Sequence, residues 1–81
     1  MAATRQDIDR WIKTAKENND KYILSVCDTY EYSDYPVYFK TIDELLEKYN
    51  DYDFIDMQKV NEIIRINIDG TVTENLKLHN L

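Results

Sequence analysis

The sequence predicts a single small α+β domain over residues 1–81, in the order α-β-β-α-β-β, with an antiparallel sheet carrying both helices on one face. Three observations lead there. Apolar residues recur at helical spacing in two stretches, each opened by a capping-box pattern. Other runs alternate or are rich in β-forming residues. One Asp-Gly pair, Asp69-Gly70, lies between two such runs, where a hairpin turn belongs. A chain of 81 residues holds one core and not two.

Thr4 and Asp7 form the first capping pattern, and Ile8, Trp11, Ile12 and Ala15 follow at i, i+3, i+4 and i+7. A helix over about 5–18 results, stopped by Asn18, Asn19 and Asp20. Trp11 and the Ile8/Ile12 stripe are expected to cover the sheet. Lys21 to Asp28 reads as a strand with Tyr22, Leu24 and Val26 on one face and Ile23, Ser25 and Cys27 on the other. Both faces are largely apolar, which marks an inner strand. Tyr35 to Lys40 is a second strand, with Pro36 at its start where a ladder donor is not yet needed. The short linker Thr29 to Asp34 makes these two strands antiparallel neighbours.

Thr41 with Glu44 is a second capping box, and Ile42, Leu45, Leu46 and Tyr49 form the stripe of a short helix ended by Asn50 and Asp51. Tyr52 to Asp56 reads as an acidic, aromatic loop. Residues 57–68 are ambiguous: Met57, Val60 and Ile64 suit a helix, while Val60, Ile64, Ile66 and Ile68 suit a strand. Asp69-Gly70 favours strands, at about 59–68 and 71–78, with the last three residues fraying.

Composition narrows the class. Hydrophobic residues make up 43% and charged residues 32%, too apolar for a disordered chain. No apolar run approaches bilayer length, so a membrane role is not expected. Cys27 is the sole cysteine, which rules out an intrachain disulfide and a cysteine-based zinc site within one chain and fits a reducing cytoplasm. Gly70 is the sole glycine, so no glycine-rich phosphate loop exists. A core this small would be supplemented naturally by a homodimer.

The net charge of −6 is unevenly distributed: residues 1–26 carry +1, residues 27–56 carry −7 and residues 57–81 are neutral. A field of that sign repels phosphate backbones, so direct nucleic-acid binding is not expected. The same middle segment holds the residues richest in chemistry, from Cys27 to Tyr38. Asp28, Glu31 and Asp34 could offer oxygen to a cation, but a calcium loop needs more ligands and usually a glycine. Asp28 and Asp34 are expected to serve as local turn acids instead, with no metal and no cofactor. Cys27 has no base beside it, since the only histidine, His79, lies in the tail. It reads as a buried structural thiol. No catalytic constellation emerges, and the chain is not expected to be an enzyme.

Seven tyrosines are many for this length. Tyr22, Tyr38 and Tyr49 are expected to face the core or sheet, and Tyr30, Tyr32, Tyr35 and Tyr52 to be partly exposed. The candidate contact set is therefore Asp28, Thr29, Tyr30, Glu31, Tyr32, Asp34, Tyr35 and Tyr52. Phenolic rings among acids suit a basic protein surface. The alternative is a pocket of Asp28, Thr29, Tyr30 and Tyr35 that stacks and hydrogen-bonds a small nucleotide signal, sequestering it.

The run from Trp11-Ile12 through Val26-Cys27-Asp28-Thr29-Tyr30 to Asp34-Tyr35-Pro36-Val37-Tyr38, then Met57-Gln58-Lys59-Val60 and Glu62, resembles a family of short uncharacterised proteins from bacteriophages and prophages. The resemblance spans most of residues 4–66, and its most specific pieces are Asp28-Thr29 and Asp34-Tyr35-Pro36-Val37. Family members tend to have a glycine-containing turn before the position of Tyr22, where this chain has Asn18-Asn19-Asp20-Lys21, and the part after Ile66 differs. The resemblance implies a viral accessory role. The expectation is a non-enzymatic phage-type protein, cytoplasmic in the host bacterium, that binds and inhibits a host factor, a defence factor among the candidates.

Overall fold

The computed structural model describes residues 3–53 and 57–81. The elements are α1 (Arg5–Glu17), β1 (Tyr22–Asp28), β2 (Ser33–Phe39), α2 (Ile42–Tyr52), β3 (Gln58–Ile66) and β4 (Val72–Leu76), then a short 3-10 turn at Leu78–Asn80. The four strands form one antiparallel sheet in the order β2-β1-β3-β4. Class and element order are those the sequence predicts. The placement of the helices is not.

The helices lie on opposite faces of the sheet. Trp11 and Ala15 of α1 pack with Ile23, Ile64 and Ile66, whereas Leu45 of α2 packs with Leu24, Val26, Phe39 and Ile63. Successive strand residues point to opposite faces, so these are two separate half-cores. The physical reason is in β1 and β3, the inner strands, each of which buries apolar residues on both faces. Ile23, Leu24, Ile63 and Ile64 are all fully buried, each contributing about 1.5–3 kcal/mol of transfer free energy. One layer of helices would leave half of that surface in water.

Local chemistry sets the boundaries. The Thr4 side chain accepts from the Asp7 N–H, and the Asp7 carboxylate accepts from the Thr4 N–H, the reciprocal cap that starts α1. At its far end Asn19 takes a left-handed φ of 60°, and Asp20 is buried. There Lys40 donates to Asp20 Oδ1 at 3.1 Å and to the Asn18 carbonyl at 2.6 Å, fastening the α1–β1 corner to the end of β2. α2 runs on to Tyr52, past the Asn50 stop. Of the expected Tyr52–Asp56 loop, residues 54–56 lie outside the described residues.

β2 begins at Ser33, two residues earlier than expected, so Pro36 sits inside the strand, paired with Ser25. It is tolerated because β2 is an edge, where a row of donors has no ladder partner. The β3–β4 connection is a hairpin, as Asp69-Gly70 indicates, in a three-residue form: the Gly70 N–H donates to the Asn67 carbonyl and Gly70 has φ 88°. β4 stops at Leu76, two residues short, with a left-handed Asn75 within it.

Candidate functional site

β1 and β2 are joined by a four-residue loop, since Asp28 pairs with Ser33. Asp28 Oδ1 accepts from the Tyr30 N–H at 2.9 Å and the Glu31 N–H at 3.3 Å, the local turn role expected of it. The Thr29 N–H and hydroxyl both donate to the Met57 carbonyl, each at 2.7 Å, tying the loop to the start of β3. The backbone of the tip is thus held from both sides. Tyr30 and Tyr32 project from it, each 72% exposed, with exposed Glu31 between them. Tyr32 adopts φ 56°, a left-handed conformation that costs a non-glycine residue about 1–3 kcal/mol.

The other candidates are distributed elsewhere. Tyr35 and Tyr52 are half-buried and pack against the α2-side core, on the opposite face of the sheet from Asp34. Burial pushes the Tyr35 phenol above its ordinary value, with a further rise from neighbouring Tyr52 and Asp28. Tyr22 and Tyr49 join the same core and Tyr38 the α1-side core, as expected of those three. Of the four residues Asp28, Thr29, Tyr30 and Tyr35, the first two bond backbone groups, Tyr30 is exposed and Tyr35 packs on the α2-side core. Asp34 is not a local turn acid: its Oδ2 accepts the Ala3 N–H at 2.8 Å, pinning the start of α1 over the sheet.

A cleft of about 410 Å³ opens on the α1 side of the sheet, lined by Ala3 and Ile8 above, Ser25, Cys27 and Asp34 of β1 and β2, Lys59, Asn61 and Glu62 of β3, and Tyr32 from the tip. A bulge builds it. Glu62 pairs with Ser25 but Val60 pairs with Val26, so Asn61 is an extra residue in β3. In a regular strand Lys59 and Glu62, three apart, would face opposite ways. The bulge turns both toward α1, opposite Cys27 and Ser25.

Glu62 is the most unusual group there. Its Oε1 is sealed from solvent and receives no hydrogen bond from any described residue. Burial, and then the charge of Glu74, push its carboxyl above the ordinary glutamate value, against the opposing pull of Lys77 and Arg5. Neither cation lies on it. Arg5 is held by Asp9 and by Glu74, each at 2.7 Å, and Lys77 donates to the Asn61 carbonyl at 2.8 Å. Cys27 is half-buried in the cleft rather than sealed in the core. Its thiol is pushed up by burial and then by a hydrogen bond to Asp34, opposite to what a nucleophile needs.

No protein-family model matches this chain, and neither the curated proteins nor the solved structures contain a match to it. Function must be argued from the geometry. Among the described residues no group of three or more His, Cys, Asp or Glu is placed to hold a metal ion, and no helix is long and apolar enough to cross a membrane. The bulge and the orphaned Glu62 oxygen escaped sequence reasoning. Glu62 running directly into the apolar pair Ile63-Ile64 was the one signal that could have flagged them.

Proposed function

We propose that this chain is a non-catalytic accessory protein of phage type that binds and inhibits a protein of the host cytoplasm, making contact through the Tyr30-Glu31-Tyr32 tip. The observation that carries the reading is Tyr32. A bulky ring is held 72% exposed on a backbone conformation that glycine or asparagine would adopt at less cost. Strained backbone of that kind clusters at binding and active sites. The tip is also preordered by Asp28 and Thr29, which lowers the entropy lost on binding.

Exposed tyrosines supply rigid contact area with a polar end, the chemistry of protein-binding anchors. The −7 charge of residues 27–56 favours a partner with a basic surface and speeds its approach. The host-directed and inhibitory parts of the reading rest on the resemblance to phage proteins. The nucleotide-sequestering alternative draws no support from its four positions, because Asp28 and Thr29 are committed to backbone groups and Tyr35 faces the α2-side core.

The test is capture from bacterial lysate with the full chain and with a Tyr30→Ala/Tyr32→Asn variant, at low and high salt. A stoichiometric partner retained by the parent chain, released by salt and lost by the variant supports the reading. A partner held equally by both chains counts against the tip.

A further inference from the structure

We propose that the α1-side cleft receives one cationic side chain, an arginine or lysine, from the basic partner, seating its charged end against the Glu62 carboxyl. The source of the side chain rests on the binding reading above; the cleft itself does not. Its walls combine apolar surface from Ala3 and Ile8 with polar groups on Ser25, Asn61 and Glu62. An apolar stem ending in a charge matches that mixture. The volume, about 410 Å³, lies toward the small end of ligand clefts and suits a side chain better than a large cofactor.

The orphaned carboxyl, and not net charge, sets the sign of the occupant. The lining carries the carboxylates of Asp34 and Glu62 against the ammonium of Lys59, and just outside it Glu74 is offset by Arg5 and Lys77, so the surroundings of Glu62 are close to neutral. Asp34 is partly satisfied by the Ala3 N–H, whereas Glu62 has an oxygen with no described donor. A carboxyl buried without a partner is costly, and a cation reaching it from the cleft offsets that cost for the group as a whole. Of the cations nearby, Arg5 is committed to Asp9 and Glu74 and Lys77 to a backbone carbonyl, while Lys59 lines the cleft itself. Tyr32 joins the tip to the cleft, so one partner surface can engage both.

Binding and proton loss are coupled in such a site. The groups facing Glu62 are Arg5 of α1, Cys27 of β1, Asp34 of β2, Lys59 of β3, Glu74 of β4 and Lys77 beyond it. Burial and Glu74 raise the titration of Glu62, so a bound cation should lower it, and affinity should fall as the solution is acidified through that titration.

The experiment is a two-dimensional amide NMR titration of the isotope-labelled full chain with N-acetyl-arginine methylamide, and with the citrulline analogue as a neutral control. The expected result is shifts centred on Ser25, Cys27, Asn61 and Glu62 with the arginine probe alone, weakened roughly tenfold or more by Glu62→Gln. The Glu62 carboxyl midpoint, followed by carbon NMR in the unsubstituted chain, should move down when the probe is added. Equal responses to both probes, no response at millimolar concentration, or an unmoved midpoint would overturn the proposal. Because no partner is needed, a cleft that binds while the tip variant still captures the partner sinks the tip reading alone. A silent cleft beside a tip-dependent partner sinks this one alone.

Discussion

Replacing Glu62 with glutamine should stabilise the fold at neutral pH, by an amount that shrinks on acidification. The change keeps the shape of the side chain and removes its charge. An unsatisfied buried polar group costs about 1–3 kcal/mol, and more when charged. Glutamine leaves the same position unpaired, so only the charge-dependent part of that cost is relieved, and with Glu62 partly buried this is at most about 1 kcal/mol. For a domain of this size that is a rise in Tm of at most about 4–8 °C. The sign follows from linkage: the folded carboxyl titrates above the ordinary glutamate value of 4.5, so between the two values the folded state binds more protons than the unfolded one. Stability of the parent chain is therefore lost as pH rises through the folded value and fully regained below the unfolded one. Thermal melts of both chains from pH 4 to pH 8 should show the variant ahead at the upper end and the curves closing toward pH 4.5. A variant that melts at or below the parent at neutral pH, with a gap independent of pH, would refute the reasoning.

Three further outcomes are expected. Leu45→Ala should cost about 2–5 kcal/mol in urea unfolding while leaving the emission maximum of native Trp11 in place, whereas Ile64→Ala should cost a similar amount and shift it to the red, because the two sites belong to opposite half-cores; a red shift from Leu45→Ala would argue against two faces. Gly70→Ala should cost about 1 kcal/mol through φ 88° alone, since a methyl group there meets nothing within 4 Å, and an unchanged urea midpoint would place the turn in another conformation. Tyr32→Asn should keep stability within about 1 kcal/mol of the parent, the relieved strain offsetting lost contacts, while abolishing partner capture; a collapse in Tm would make the ring structural.

Both helices, the strand identity of residues 59–66 and the hairpin at Asp69-Gly70 were legible because each rests on local chemistry: caps, spacing and a turn dipeptide. The face each helix covers was written in the sequence too, in the doubly apolar strand Tyr22–Asp28, yet an inner strand implies cover on both sides and the expected single layer ignored that. Boundaries shifted where tertiary position overrode local preference, as when the edge location of β2 admitted Pro36 to its middle. Of the candidate contact residues, the tip Tyr30, Glu31 and Tyr32 is exposed as a unit. Tyr35 and Tyr52 are partly exposed as expected, but strand parity and the last turn of α2 place them against the α2-side core. The cleft could not have been foreseen, since it depends on one extra residue at Asn61, and a bulge has no sequence signature without a glycine.

Amide hydrogen exchange of the full chain, alone and with its captured partner, bears most directly on how this protein makes contact. Protection gained over residues 29–34 and at the Asn61 bulge, with α2 unchanged, is the expected pattern. Protection confined to α2 or to the β4 edge, with the tip exchanging as freely as before, would contradict it.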